Sequence, residues 1–266
     1  MVLIIAGHPA SGTTLLRHIC NNHPDITLTH EFGNFHNLGV PHKEYRNQLL
    51  KRLWNRGILE NRFLLWSASN HLSPKAVKIA KSHAFIARYL LEMHRYRGSV
   101  VDLSIVRTVL QGLFPKAQIV GDKEPHYVFA MDELASVNGL KRIIVYRDCR
   151  DVTSSLLENS RTKWRNKTWI KDFNAAEKVA KQWVRAVELM ERNIDKLHAI
   201  RYEDLINQSD RELKKLGSWL GVDPADFSTE IIRDTGVGKY NIGLSDKELV
   251  TVMEVAGPTM SRLGYV

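Results

Sequence analysis

The sequence has few cysteines and no long hydrophobic run. The chain of 266 residues contains two cysteines, Cys20 and Cys149, which form no metal-ligand pattern and which a cytosolic protein would keep reduced. No stretch approaches the roughly 20 apolar residues that a membrane-spanning helix needs. The N-terminal apolar run, Val2–Ala6, is short and has no basic residues before it, so it predicts a buried strand rather than a signal peptide. These absences favour a cytoplasmic protein without a membrane span or a metal site.

Internal repeats, low-complexity tracts and linkers rich in Pro, Gly or Ser are absent as well. Their absence favours a single domain over residues 1–266, a length that can bury a sizeable core. What the chain has in excess is positive charge, with a formal net charge of +9 at pH 7. The excess favours an anionic partner, such as nucleic acid, an acidic polymer or a multiply phosphorylated small molecule.

Short apolar runs alternate along the chain with helical patterns. Five runs are typical of buried parallel strands, at 2–6, 26–29, 118–121, 142–146 and 197–201. Helical spacing of apolar residues predicts helices at 13–21, 175–197 and 210–220, the last ended by Gly221. This alternation predicts a three-layer α/β fold with a central, mostly parallel sheet.

Residues 33–116 have a different pattern. They are rich in aromatic and basic residues, they predict helices, and they contain no clear strand. In open α/β sheets, ligands bind beyond the carboxyl ends of the strands. We therefore expect this segment to form a helical insertion that covers that edge of the sheet.

A phosphate-binding loop is predicted where the first strand meets the first helix. Gly7 and Gly12 are spaced as in a P-loop, and the backbone N–H groups of Ser11, Gly12, Thr13 and Thr14 would meet a phosphate at the positive end of the helix. Nucleoside triphosphatases carry a lysine where this chain has Thr13, so the loop suits a smaller anion than a triphosphate. The alternative is an ordinary corner between a strand and a helix.

A second anion site is predicted about 140 residues later. In IIVYRDCRDVTSSLL an apolar strand again leads through a polar turn into a helix. The fork of Arg147 and the hydroxyl of Ser155 suit a second phosphate group. In the alternative interpretation, Arg147 pairs with Asp151 and nothing binds.

Several segments resemble motifs of one enzyme family, in the family's order. GHPASGTTLL is similar to the 5′-phosphosulfate loop of sulfotransferases that use PAPS (3′-phosphoadenosine-5′-phosphosulfate). YRDCRDVTSSLL is similar to their 3′-phosphate segment, with Arg147 and Ser155 in the matching places. The other similar segments are GDKEP at 121–125, RYEDL at 201–205, GKYNIGLS at 238–245 and the terminal LGY. The sequence therefore resembles a bacterial-type PAPS-dependent sulfotransferase.

This resemblance implies a P-loop α/β fold, PAPS as the donor, and in-line transfer of its sulfuryl group to a hydroxyl or an amine. The product of the donor would be PAP, adenosine 3′,5′-bisphosphate. The acceptor would be a small molecule, a glycan or a peptide in a pocket formed by the insertion at 33–116, and no nucleic acid is expected. Because PAPS has no γ-phosphate, the missing lysine is accounted for. Nothing in the sequence indicates the oligomeric state.

The resemblance also assigns catalytic residues. LLRHICNNHPDITLTHEF is similar to a stretch of tyrosylprotein and bacterial sulfotransferases whose base glutamate aligns with Glu31. Lys123 of GDKEP would neutralise charge on the transferring group or the bridging oxygen. Other sulfotransferases use a histidine as base, so His30 and His126 remain alternatives. A solvated carboxylate at a strand end is the alternative role for Glu31.

Further donor contacts follow from the later motifs. Tyr202 of RYEDL would line the nucleotide site, with a half-buried core position as the alternative. Gly238 and Lys239 would form a late loop over the 3′-phosphate. These assignments rest on the resemblance alone.

The chain departs from the family at Ala10. The basic residue that the family has there stabilises the leaving group, so its loss raises a second hypothesis: a regulatory or inactive homologue that binds PAP or PAPS without turnover. Lys123, Arg17 or a residue of the insertion would otherwise supply the charge. A P-loop kinase is a weaker hypothesis, because Thr13 replaces the lysine and no Mg²⁺-binding aspartate is evident after a strand.

Overall fold

A computed structural model describes residues 1–55, 75–165, 168–233 and 236–266. Its central sheet has five strands in the order β2-β5-β1-β6-β7, and every neighbouring pair is parallel. A separate two-residue antiparallel pair joins β3 to β4. The strands are β1 (Val2–Ala6), β2 (Ile26–His30), β3 (Val40–Pro41), β4 (Val100–Val101), β5 (Ile119–Lys123), β6 (Leu140–Tyr146) and β7 (His198–Arg201).

Helices cover both faces of this sheet. The α-helices are α1 (Thr13–Asn22), α2 (His42–Asn55), α3 (Lys75–His94), α4 (Leu103–Leu113), α5 (Met131–Ala135), α6 (Cys149–Arg161), α7 (Ala176–Arg192), α8 (Tyr202–Asn207), α9 (Ser209–Leu220), α10 (Tyr240–Gly243) and α11 (Asp246–Arg262). Short 3-10 helices lie at Pro125–Ala130, Thr168–Asp172, Ile194–Lys196 and Pro224–Asp226. Within the described ranges, none of the helices combines the length and the apolar character needed to cross a bilayer.

The central strand β1 shows why the fold has three layers. All five of its side chains are buried, and successive residues point to opposite faces of the sheet. Val2, Ile4 and Ala6 join an apolar cluster with α4, α6, α7 and α11, whereas Leu3 and Ile5 join a second cluster with α1, α8 and α9. The predicted three-layer α/β fold with a mostly parallel sheet is therefore confirmed.

Helix α7 ends earlier than its apolar pattern predicts. The pattern indicates a helix to residue 197, but α7 ends at Arg192 and the 3-10 helix Ile194–Lys196 leads into β7. The Asn193 amide donates to Leu189 O over 2.9 Å and to Asp132 Oδ1 over 2.7 Å. This side chain satisfies a terminal carbonyl and ends the helix. By contrast, α9 ends at Gly221, as predicted, and the structure shows this glycine in a left-handed conformation.

The segment 33–116 is mainly helical where it is described, through α2, α3 and α4, and residues 56–74 lie outside the described ranges. The expectation that it has no strand was wrong, because β3 and β4 pair there. Its aromatic residues build its own core. The hydroxyls of Tyr45 and Tyr89 lie 2.7 Å apart, and Phe32, just after β2, packs edge-on against Tyr89 at 4.8 Å. The insertion is thus packed directly on the loop that follows β2.

Candidate active site at the carboxyl edge of the sheet

The loop between β1 and α1 has the backbone of an anion site. Gly12 is the N-cap of α1 in a left-handed conformation, with φ of 93°, and no side chain caps the helix. A Cβ on Gly12 would lie 2.3 Å from Cδ2 of Tyr202, so only glycine fits beneath that ring. The uncapped first turn leaves backbone N–H groups of Thr13 and Thr14 for a ligand at the positive end of the helix.

Ser11 lies in this loop directly before Gly12. Its N–H donates to His8 O over 3.1 Å, which closes the turn. The Ser11 hydroxyl is fully buried and makes no hydrogen bond with any described residue. A buried hydroxyl without a partner is costly, so this group is available to a bound anion. Thr13 is buried and Thr14 is exposed at the mouth of the loop.

Arg147, the first residue after β6, joins the two predicted anion turns. Its Nη1 donates to Ala10 O of the first loop over 3.1 Å, and its guanidinium lies over the ring of Tyr202 at 4.5 Å. Trp183 Nε1 donates to Arg147 O over 2.9 Å and fixes the backbone of the turn. Tyr202 is therefore buried between Gly12 and Arg147, and the structure brings the two turns together.

Asp151 does more than pair with Arg147, which was the alternative interpretation of this segment. It lies 3.6 Å from Arg147 Nη2, so the predicted ion pair exists. The same carboxylate also accepts from the N–H groups of Gly238 and Tyr240, each over 2.9 Å. The late loop around Lys239 is thus held beside Arg147.

The remaining groups of this turn lie on α6 and on the late loop. Ser155 is half-buried on α6, one turn after Asp151. Lys239 Nζ contacts Glu158 Oε2 at 2.5 Å, and this contact lowers the pKa of that exposed carboxyl. Arg147 Nη2 also donates to the carbonyl of Gly236.

Glu31 and Lys123 meet at the ends of β2 and β5. The sheet register pairs His30 with Lys123, and Glu31 follows His30 directly. Lys123 Nζ donates to Glu31 Oε1 over 2.7 Å, and Glu31 N–H donates to Lys123 O over 2.6 Å. The Lys123 side chain is fully buried, whereas that of Glu31 is 28% exposed. Burial lowers the pKa of Lys123, and the Glu31 carboxylate opposes that shift.

Backbone strain coincides with this site. Among the described residues other than glycine, Ala10 and Glu31 have positive φ, at 68° and 54°. Such conformations are uncommon for residues with a side chain and persist only where the surroundings hold them. Both lie at the carboxyl edge of the sheet, Ala10 in the loop between β1 and α1 and Glu31 directly after β2.

Asp122 holds the Glu31 loop. This buried carboxylate accepts from Thr29 Oγ1 over 2.6 Å, from the N–H of Phe32 over 3.1 Å and from the N–H of Gly33 over 2.8 Å. Burial raises the pKa of Asp122, and the bond from Thr29 opposes the shift. Sequence reasoning did not assign Asp122 a role, although the GDKEP motif contains it.

The two alternative bases lie near this pair. His30 Nε2 is 3.9 Å from Glu31 Oε1, and burial together with Lys123 and Arg17 lowers the pKa of His30 well below its usual range. His126 lies in the adjacent 3-10 helix with its Nδ1 3.1 Å from Glu124 Oε1. Because its pKa is lowered, His30 is neutral at neutral pH.

Comparison with known proteins identifies the chain. A family model described as the sulfotransferase family matches residues 3–226, which is most of the sequence. The chain belongs to the sulfotransferase family. No curated protein sequence matches it significantly.

Solved sulfotransferase structures share its fold. The sulfotransferase domain from the curacin biosynthetic pathway is 17% identical with a TM-score of 0.55, covering 100% of this chain and 98% of that one. The sulfotransferase domain of the Synechococcus PCC 7002 olefin synthase is 17% identical with a TM-score of 0.51, covering 97% and 94%. A sulfotransferase from Alicyclobacillus acidocaldarius is 15% identical with a TM-score of 0.52, covering 98% and 93%. These similarities show the fold.

Two arginines lie beside the Glu31 loop of this sulfotransferase, and the sequence motifs assigned neither of them a role in binding or catalysis. Arg17 of α1 is buried, and its Nε donates to Leu28 O over 3.0 Å and to Thr29 O over 3.2 Å, both in β2. Burial lowers the pKa of Arg17 to about 10, and the Asp122 and Glu31 carboxylates oppose the shift. Arg52 of α2 lies 3.5 Å from the buried Glu124 carboxylate. Sequence reasoning named Arg17 only as a substitute for the missing loop cation and did not single out Arg52.

His8, in the loop between β1 and α1, gives a testable pH dependence. Burial lowers its pKa from 6.5 to about 4. The folded chain therefore binds this proton more weakly than the unfolded chain, so stability is lost as the pH falls from about 6.5 towards 4. At 1.36 kcal/mol per pKa unit, the loss is about 3 kcal/mol.

The substitution His8→Asn should remove this contribution. Urea unfolding at pH 7, 5.5 and 4 gives the free energy of unfolding of the wild type and of the variant. Subtracting one from the other at each pH cancels the contributions of the other titrating groups. The free energy of unfolding of the variant should fall less between pH 7 and pH 4 than that of the wild type. Parallel curves would show that His8 is not held neutral by burial.

Proposed function

We propose that this sulfotransferase takes its sulfuryl group from PAPS and transfers it in line to a hydroxyl or an amine. The observation that carries the proposal is the connection between the two anion turns. Arg147 Nη1 bonds to Ala10 O over 3.1 Å, and Tyr202 packs against both Gly12 and Arg147. Two anion sites this close together suit one nucleotide that is phosphorylated at its 5′ and 3′ positions.

The residues present fit such a donor. At the 5′ side, the helix N-terminus and the buried Ser11 hydroxyl would hold the phosphosulfate. At the 3′ side, Arg147 Nε is buried and makes no hydrogen bond with the described residues, so the fork retains capacity for a phosphate. Ser155, Gly238 and Lys239 would complete that side. The partly exposed Lys239–Glu158 pair would exchange readily for a phosphate contact.

Glu31 and Lys123 would carry the chemistry. The acceptor oxygen or nitrogen forms a bond to sulfur as the bond from sulfur to the bridging oxygen of the 5′-phosphate breaks. The acceptor proton passes to the Glu31 carboxylate, and PAP leaves with the bonding electron pair. The buried ammonium of Lys123 stabilises the charge that develops on the transferring group. As in phosphoryl transfer, positioning and charge stabilisation supply most of the rate.

Other buried cations can replace the basic residue that the family has at the position of Ala10. Arg17 is buried next to the end of β2, and its Nη2 makes no hydrogen bond with the described residues. Lys123 adds a second buried positive charge in the same region. These charges support an active enzyme over a homologue that only binds the nucleotide.

The distribution of charge bears on the acceptor. Residues 33–116 contain 14 Lys and Arg against 4 Asp and Glu, whereas the rest of the chain contains 24 against 25. The positive excess of the protein therefore lies in the insertion that would form the acceptor pocket. Described cations of α2 such as Lys43, Arg46 and Lys51 are exposed. An acceptor that carries negative charge suits this segment better than a neutral one.

Calorimetry with PAP and ATP, followed by incubation with ³⁵S-labelled PAPS and a panel of acceptors, tests the proposal. PAP should bind at least about tenfold more tightly than ATP, because the loop lacks a lysine for a γ-phosphate and Arg147 adds a contact to the 3′-phosphate. Label should pass to an anionic acceptor. PAP binding without transfer would favour the regulatory homologue, and ATP binding without PAP binding would overturn the proposal.

A further inference from the structure

The C-terminal residues of the chain lie against the turns that follow β6 and β7. The Tyr265 hydroxyl donates to Glu203 Oε2 over 3.0 Å, and the guanidinium of Arg201 lies over the Tyr265 ring at 4.1 Å. Arg201 Nη2 also donates to Gly264 O over 3.4 Å. Burial raises the pKa of Tyr265, so its hydroxyl remains a donor. These contacts tie the tail to the turn that begins with Tyr202.

The same tail is tied to the turn that begins with Arg147. Arg150 Nη2 donates to Tyr265 O over 3.1 Å. Arg150 also forms a two-pronged pair with Asp148, through Nε at 3.0 Å and Nη2 at 2.6 Å. The N–H of Asp148 donates to the second oxygen of Glu203 over 3.0 Å. Tyr265 and Glu203 together therefore bridge the two turns.

Arg150 carries the connection onward to the late loop. Its guanidinium lies over the Tyr240 ring at 4.3 Å. The N–H of Tyr240 donates to Asp151, the carboxylate that also lies 3.6 Å from Arg147. The contacts thus run without a gap from Tyr265 through Arg150 and Tyr240 to the groups proposed for the 3′-phosphate.

We infer that Tyr265 is a positioning residue for the 3′-phosphate side of the donor site. It touches no proposed ligand atom. Its side chain fixes the tail on Glu203 and Arg201. The tail's Tyr265 carbonyl oxygen in turn holds Arg150, and Arg150 holds the late loop in register with Arg147. The inference rests on the proposed function for the identity of the nucleotide, and on the geometry alone for the link between the tail and residues 236–243.

The test compares Tyr265→Ala and Tyr265→Phe with Arg262→Ala as control, since Arg262 is an exposed residue at the end of α11 that pairs with Glu191 of α7. Calorimetry measures the dissociation constants of PAP and of adenosine 5′-monophosphate, which is PAP without its 3′-phosphate. Tyr265→Ala should weaken PAP about tenfold and the second nucleotide by less than about twofold. Tyr265→Phe keeps the ring over Arg201 and should lose about threefold for PAP. The control should match the wild type.

Amide hydrogen exchange of the unliganded proteins gives an independent readout. Residues 236–243 should exchange faster in Tyr265→Ala and Tyr265→Phe than in the wild type and in Arg262→Ala. An unchanged ratio of the two dissociation constants, together with unchanged exchange in the late loop, would overturn the inference. If the wild type showed no preference for PAP, the proposed function would fail. The hydrogen-exchange result would still test whether Tyr265 orders residues 236–243. If Tyr265→Ala does not fold, Tyr265→Phe decides both readouts.

Discussion

The substitution Glu31→Gln is expected to lower kcat for sulfuryl transfer by about three orders of magnitude while the dissociation constant of PAP changes less than about twofold. General-base catalysis contributes typically 10²–10⁴-fold, and the amide of glutamine cannot accept the acceptor proton. The donor groups at Ser11 and Arg147 belong to other loops, so their geometry does not depend on this carboxylate.

Glutamine also preserves the local structure as far as a neutral side chain allows. Its carbonyl oxygen can still accept from Lys123 Nζ, which lies 2.7 Å from Glu31 Oε1. What it removes is the negative charge beside a fully buried ammonium. A moderate fall in thermal stability should therefore accompany the loss of turnover, and kinetics should be measured well below the unfolding transition.

Initial rates of label transfer from ³⁵S-labelled PAPS, with PAP affinity by calorimetry, measure both effects. Glu44→Gln is the matched control, because Glu44 is an exposed carboxylate on α2 whose contact is a hydrogen bond from Gln48. Near-normal turnover of Glu31→Gln would remove Glu31 from the base role. His30→Asn would then be the next variant, since His30 is neutral and lies 3.9 Å from the same position.

Much of the sheet was predictable because buried parallel strands are continuous apolar runs. The run VLIIA predicted β1 with both ends correct. The predicted strands at 26–29 and 118–121 stopped short of the observed ends at His30 and Lys123. The missing end residues His30, Asp122 and Lys123 are polar, so an apolar pattern could not include them.

Local pattern could not predict how the site is held. Asp122 bonds to Phe32 N–H and Gly33 N–H across about 90 residues of sequence, and Arg150 reaches Tyr265 across 115. Such contacts depend on the sheet order, which no short window of sequence encodes. The left-handed backbone of Ala10 and Glu31 was equally hidden, because glycine or asparagine usually signals that conformation.

The family, in contrast, was readable from motif order. The phosphate loop, GDKEP, the Arg147 segment and RYEDL occur in the sequence that a sulfotransferase shows, and the family model confirms that membership. The structure adds that these motifs meet at one edge, since every strand of the central sheet is parallel. The roles of the individual side chains remain predictions for experiment.

The substitution Arg147→Ala is expected to weaken PAP binding about 100-fold and to weaken the binding of adenosine 5′-monophosphate, which is PAP without its 3′-phosphate, by less than about threefold. A hydrogen bond to a charged group is worth about 1.5–3 kcal/mol, and a two-pronged arginine contact to phosphate is at the upper end of that range. Only PAP has the phosphate that Arg147 would hold, so the ratio of the two dissociation constants isolates this contact.

Arg147 also has structural contacts, and the experiment must separate them from the ligand contact. Its guanidinium bonds to Ala10 O and Gly236 O, and it lies over Tyr202 at 4.5 Å. Arg147→Lys keeps the charge without the fork and should recover part of the preference for PAP. Arg192→Ala removes an exposed arginine that pairs with Asp132 and should bind both nucleotides as the wild type does. Equal losses for both nucleotides in Arg147→Ala would mean that the arginine only braces the two loops, and the 3′-phosphate would then need another site.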